Sequence, residues 1–401
     1  MDRVSNLDKA SQARSDLITL AGGAGLTSLG MGLIIPVLPL YARSLGASAT
    51  LVGLLLASFG VTRLLVNLPA TWLARRVGYR RLLIYSPAIA APLAVVCALT
   101  GGFWVLALFC VMEGVLAGIY TITGTTAVVI ETGAEKRGRS LATYQAAGLL
   151  GTTLGPALGG LAASQFGPQA PFLVYAALSS LAAVWFSRRL GRQALHRPVD
   201  VRDDRLWNSV SYKSILIAPG MFTLWLIIFV LVFTRVGAQQ ITLPLLGAWK
   251  LGFDPQQIGL ALSMSGLSSL LLFYPAGWLA DRYGRKLLII LGGLGMAGAL
   301  LAFSISDSYL TFVTAALLLG VGSGLAGPAP GAYLADILSG NDLTNGVGVY
   351  RLVGDAGATI APLFLGWITD RGGVGSNLWV SVLALLVAIA LFVGFVPVKR
   401  S

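Results

Sequence analysis

Residues 275–284 read Pro275-Ala276-Gly277-Trp278-Leu279-Ala280-Asp281-Arg282-Tyr283-Gly284, and residues 69–78 read Pro69-Ala70-Thr71-Trp72-Leu73-Ala74-Arg75-Arg76-Val77-Gly78. The two stretches lie 206 residues apart. The same offset carries Gly46 onto Gly252, Gly53 onto Gly259, Tyr144 onto Tyr350, Pro156 onto Pro362 and Gly160 onto Gly366. Chance likeness among apolar segments would not keep one offset over so much chain. The sequence reads as two copies of one unit.

Composition says what solvent those copies occupy. Of the 401 residues, 56% are apolar and 11% charged, and the mean hydropathy is +0.80. Soluble domains carry about 25% charged residues, so this chain is too poor in charge to cover a water-facing surface. A bilayer crossing needs about 20 mostly apolar residues. Twelve such runs are expected, near 17–41, 50–73, 82–100, 103–127, 140–163, 170–187, 217–246, 256–279, 286–305, 309–334, 346–368 and 377–396. The longest polar gap, 188–213, falls between the sixth and seventh. The expected organisation is a six-helix bundle over 1–187, a central loop over 188–213 and a second six-helix bundle over 214–401. The fold class is an all-α membrane protein, its two parallel bundles related by a pseudo-two-fold axis along the membrane normal.

The formal charge of +12 is distributed by side. With the N-terminus in the cytoplasm, cytoplasmic segments carry 22 Lys and Arg and the opposite side only Arg43, Lys250 and Arg371. The positive-inside rule then places both termini in the cytoplasm, with a cell membrane (inner or plasma) as the expected location. The basic clusters lack interleaved aromatic platforms, which argues against nucleic acid as a partner. Cys97 and Cys110 sit inside apolar runs and form neither a disulfide framework nor a zinc spacing. The single histidine, His196, lies in the polar central gap, so no histidine relay crosses the membrane. No H-E-x-x-H, Asp-rich or nucleotide-loop motif is present. Neither an enzyme nor a metal or cofactor site is expected.

Over essentially its whole length the chain resembles the major facilitator superfamily. Gly277-Trp-Leu-Ala-Asp281-Arg282-Tyr-Gly284-Arg285-Lys286 matches that family's G-x-L-A-D-R-x-G-R-K loop, which the resemblance makes a cytoplasmic gate latch. The copy in the first half is degraded, with Arg75 at the aspartate position, followed by Arg76; a latch there would have to act through Asp336 or Asp342. Leu29-Gly30-Met-Gly32-Leu-Ile-Ile-Pro36-Val-Leu-Pro39 looks like the first-helix motif of the twelve-helix drug:proton antiporters. Gly151, Gly155, Pro156, Gly159 and Gly160 of the fifth run resemble the G-x-x-x-G-P-x-x-G-G antiporter motif. Such glycine spacing also makes a flat stripe for close helix packing. The arginine that these antiporters carry early in the fourth helix has no counterpart; the run offers Glu113 instead.

Ionisable groups in mid-bilayer cost about 2.5–3.5 kcal/mol each and mark functional sites by default. Five are expected here: Arg63, Glu113, Arg235, Arg351 and Asp355. They are read as lining a polar cavity between the halves, with Tyr120, Tyr144 and Tyr350 beside them. Low dielectric disfavours the charged form of a carboxyl group, so Glu113, with Asp355, is the candidate for proton coupling. Asp355 can pair with Arg351, one turn away on the same face, or with Arg63, since the resembled fold makes the second and eleventh helices neighbours. Arg63, Arg235 and Arg351 are candidate substrate contacts. The expected activity is secondary transport by alternating access, as proton-coupled efflux of small organic or drug-like molecules by a monomer. The alternative is transport of an organic anion, with Arg63 and Arg235 clamping its charge.

Overall fold

A backbone surrounded by lipid must satisfy its own polar groups, which leaves helices as the economical structure for this composition. The computed structural model describes residues 2–132, 137–190, 221–338 and 340–395, and among them the regular structure is helix. Eleven stretches are long and apolar enough to cross a membrane. The last, Asn345–Phe395, has 51 residues, more than twice what one crossing needs. It breaks at Gly373, whose φ of 75° and ψ of 175° leave the helix. That break separates the eleventh and twelfth spans. The expected connection over 369–376 is thus a single non-helical residue, because Gly373 supplies the turn that a polar loop would otherwise make. The expected central loop begins as helix through Arg189, and from residue 191 it lies outside the described residues.

The first span is Asp2–Ile34, continued after a turn at Pro36 by Val37–Ser44. The second to sixth are Ala49–Val77, Tyr79–Thr100, Phe103–Glu131, Arg137–Phe166 and Ala170–Arg189. The seventh, Met221–Lys250, passes through two π turns, Ala238–Thr242 and Leu246–Lys250. The eighth and ninth are Pro255–Tyr283 and Arg285–Ser304. The tenth is Tyr309–Ala326 and Ala329–Ile337, broken at Gly327-Pro328, where proline cannot donate to the helix ladder. Three pairs of turn glycines have positive φ at the 206-residue offset: Gly46 and Gly252, Gly78 and Gly284, Gly167 and Gly373. Glycine adopts that geometry without steric cost, so the duplication is preserved in the turns.

The chain divides into two compact units, Met1–Leu45 with Ser58–Asp200, and Gly46–Ala57 with Val201–Ser401. The boundary falls inside the second span rather than at the central gap. Within the second unit a carboxylate secures the start of that span. Asp370 Oδ1 accepts from the Ala49 N–H at 2.8 Å, and Oδ2 accepts from the Thr50 N–H at 2.7 Å and the Thr50 hydroxyl at 2.6 Å. A carboxylate at a helix N-terminus satisfies orphan N–H groups and faces the positive end of the dipole.

Glycine lets the helices approach. In the first unit a Cβ on Gly155 would stand 2.5 Å from Gly32 Cα, and one on Gly159 only 2.0 Å from the Leu33 carbonyl oxygen. The glycine stripe of the fifth span therefore lies directly on the backbone of the first. A Cβ on Gly114 would meet the Phe59 carbonyl oxygen at 2.4 Å and Thr62 Oγ1 at 2.0 Å. In the second unit Gly320 meets Ser265 O at 2.1 Å and Ser268 Oγ at 2.0 Å. These contacts coincide after a shift of 206 residues. Leu65, Leu99, Leu271 and Leu310, by contrast, point outward, as lipid-facing side chains do. Backbone-to-backbone packing of this kind leaves no room for a methyl group. Gly155→Ala should therefore lower stability by about 1–3 kcal/mol in thermal unfolding of the detergent-solubilised protein. Gly298→Ala, where nothing lies within 4 Å of the new Cβ, should be near neutral.

Candidate functional site

The close approach at Gly114 brings two charged residues to one place. Glu113 precedes that glycine, and Arg63 follows Thr62 on the facing helix. Both line a cavity of about 260 Å³ inside the first unit. Its other polar walls come from Thr27 and Ser28 of the first span, Tyr120 of the fourth, Tyr144 and Gln145 of the fifth, and Tyr175 and Ser179 of the sixth. Glu113 is 5% exposed. The Tyr175 hydroxyl donates to its Oε1 at 2.6 Å. Oε2 is buried with no hydrogen-bond partner among the described residues, and so is the Tyr120 hydroxyl. Leaving such an atom unsatisfied costs about 1–3 kcal/mol, and more if it is charged. Protonation or a ligand would relieve it. Arg63 is half-buried, with its guanidinium 5.9 Å from the Phe59 ring centroid.

Sequence reasoning placed five charges and three tyrosines along one cavity between the halves; of these, Arg63, Glu113, Tyr120 and Tyr144 line the cavity of the first unit, whereas Arg235, Tyr350, Arg351 and Asp355 belong to the second unit. That reasoning missed Tyr175. Burial aside, one signal pointed there: Gly30 of the first-helix motif. A Cβ at Gly30 would stand 2.6 Å from Tyr175 Cδ2, so that glycine makes room for the ring. Phe109 meets the same ring edge-on, with centroids 6.0 Å apart.

In the second unit, Arg235 lies deep in the seventh span, with its side chain accessible. Tyr350 is close enough to Arg235 and Arg351 to feel both charges. Arg351 is exposed, and Asp355 half-buried one turn further on. The Asp355 carbonyl accepts from the Thr359 hydroxyl at 2.7 Å.

The internal repeat separates what the fold requires from what it does not. The close helix contact at Gly114 recurs at Gly320 after 206 residues; the five intramembrane charges do not recur. Arg63 corresponds to Ser269, Glu113 to Leu319, Arg235 to Leu29, Arg351 to Gln145 and Asp355 to Leu149. Tyr175 corresponds to Ser381. The same helical frame is built with neutral residues at each equivalent position.

The loop motif at residues 277–286 also differs between the copies. In the second unit Arg285 pairs with Asp336, donates to the Ala332 carbonyl and lies 3.4 Å from Asp281. Asp336 is thus engaged within its own unit rather than reserved for the degraded copy at Arg75 and Arg76. The first unit carries Tyr79, Ile130 and Arg75 at the positions of Arg285, Asp336 and Asp281. Tyr79 is buried in an apolar cluster against which Ile130 packs. An apolar cluster stands where the second unit has an ion pair. Other parts of the motif survive in both copies. Arg76 stacks over Trp72 at 4.2 Å as Arg282 does over Trp278 at 5.3 Å. Arg80 donates to the Leu190 and Ser187 carbonyls, and Lys286 to the Val393 carbonyl, at the ends of the sixth and twelfth spans. Gly284 makes its turn with φ of 95°.

Twelve helical crossings, a duplicated unit and a buried ionisable cavity define a multi-pass membrane protein of the transporter class. The family model described as Major Facilitator Superfamily matches residues 20–247 and 228–401. The chain belongs to that family of membrane transporters. Multidrug resistance protein 2 of Bacillus subtilis is 26% identical over 341 residues, covering 82% of this chain and 83% of that protein. Quinolone resistance protein NorA of Staphylococcus aureus is 24% identical over 354 residues, covering 86% and 87%. Tetracycline resistance protein, class B, of Escherichia coli is 28% identical over 323 residues, covering 76% of each. In fold, the chain is similar to the nucleoside transporter NupG, with a TM-score of 0.82 at 12% identity over 96% of this chain and all of that one.

Tyr79→Arg places a guanidinium in the apolar cluster of the first unit, where Ile130 stands at the position of Asp336. We expect destabilisation by about 3 kcal/mol or more, read by thermal unfolding. Adding Ile130→Asp, which restores the second unit's pair, should recover part of the loss.

Proposed function

We propose that this protein is a proton-coupled efflux transporter of small organic or drug-like molecules, working by alternating access in a cell membrane with both termini in the cytoplasm. One observation carries the reading: Glu113 stands in a cavity with one oxygen hydrogen-bonded and the other buried and unpartnered. A carboxyl group so placed binds a proton or a polar ligand group, and desolvation makes the two compete. Exchange follows if the proton enters from one compartment and the ligand from the other. The repeat supports the rest, since two six-span units suit rocking about a shared path. The resistance proteins to which the chain is similar support small organic molecules as substrates.

Arg63 on the same cavity wall favours a second reading, transport of an organic anion held by a guanidinium. One experiment separates the two. In proteoliposomes with an imposed pH gradient, tetracycline, a fluoroquinolone and a benzoate-type anion are offered to the parent, Glu113→Gln and Arg63→Ala. The efflux reading predicts that Glu113→Gln abolishes gradient-driven drug exchange, at least tenfold, while equilibrium drug binding persists. Drug exchange unchanged in Glu113→Gln, with anion uptake abolished in Arg63→Ala, would replace it by the anion reading.

A further inference from the structure

Tyr175 belongs to no recognised motif and stands at a position where the other half of the molecule has Ser381. It is 4% exposed. Its ring is held from two sides, by Phe109 at 6.0 Å in an edge-on contact and by the first-span backbone at Gly30. Ser179, one turn along the same span and also buried, lies beside its hydroxyl. The O–H of the ring so confined is donated to Glu113 Oε1 at 2.6 Å. We propose that Tyr175 is the positioning residue of the proton site: it occupies Oε1 as a donor, leaves Oε2 as the one oxygen that exchanges a proton, and sets how strongly that proton is held. This rests on Glu113 being the coupling carboxyl.

The physical argument is local. A donor to a carboxylate stabilises the charged form and has no equal partner in the neutral one. Other groups facing Glu113 do less to select an oxygen. Arg63 from the second span lines the same cavity, Cys110 sits one turn away on the same helix, and Tyr120 and Tyr144 stand further along the wall. The cavity residues of the first and third spans, such as Thr27, Ser28, Met31 and Ser86, carry no ionisable group. Tyr175 makes the hydrogen bond to Glu113 that the geometry records. Gly30 then acquires a role beyond helix packing. By leaving 2.6 Å between its missing Cβ and the ring, it fixes the hydroxyl's aim from a third helix.

Infrared difference titration of the purified protein in lipid tests this without any substrate, since the probe is the proton. The carboxyl C=O band that disappears in Glu113→Gln is the Glu113 band. In Tyr175→Phe, which keeps the ring and removes only the donor, its midpoint should move about one pH unit alkaline. The band should also rise in frequency as a hydrogen bond is lost. Gly30→Ala, which keeps the hydroxyl but displaces the ring, should shift the midpoint the same way. The double variant should shift no further than Tyr175→Phe alone, because both changes act through one contact. A purely structural role would leave the midpoint where it was. An unchanged midpoint and frequency in Tyr175→Phe, with the band still lost in Glu113→Gln, overturns the positioning role alone. A carboxyl band that titrates unaltered in Glu113→Gln overturns the coupling role of Glu113, and this inference with it.

Discussion

Lipid offers no hydrogen bonds. Everything in this molecule follows from that constraint. Backbone groups pair within helices, and hydroxyls fold back onto the carbonyl one turn earlier, as Thr62, Thr123 and Thr369 do. Helices then gain little by hiding apolar surface from an apolar solvent, so they associate through close backbone packing at small residues. The glycines at 114, 155, 159 and 320 are where this occurs, and in each case a single methyl group would collide with a neighbouring helix. An unpaired polar atom in such a medium stands out because nearly every other one is satisfied.

Against that background the duplication acts as an internal control. The two copies share three glycine turns and the close contact at Gly114 and Gly320. Where the copies differ in an intramembrane charge, the other copy carries a neutral residue. Glu113 is the sharpest case. Its counterpart Leu319 is fully buried in the second unit, so an apolar residue serves there. The buried carboxyl, its tyrosine donor and its unpartnered oxygen are additions to the first unit. The loop motif differs in the opposite sense: the first unit has an apolar cluster where the second has an ion pair.

Much of this was legible in the sequence, for identifiable reasons. Spans could be counted because about 20 apolar residues are a physical requirement of the bilayer, and the offset of 206 appeared wherever glycine, proline or tryptophan punctuated both copies. Glu113 and Arg63 were found because charge inside an apolar run is rare. Tyr175 was not, because a tyrosine in a membrane helix can face lipid, a neighbouring helix or a cavity, and its own sequence neighbourhood does not say which. The Gly167 and Gly373 pair was missed because the stretches around it share little else. The closing of the 369–376 connection was missed because its glycines and polar residues look like a loop, although most of them continue the helix.

At the centre of the proposed function, the proton and the transported molecule contend for the Glu113 carboxyl. Proton release on ligand binding measures that contention directly. In weakly buffered detergent solution, adding a saturating transported drug to the purified protein should release about one proton per molecule near the carboxyl's titration midpoint, and none from Glu113→Gln. Equal release from both proteins, or binding by the parent with no release at any pH, would contradict it.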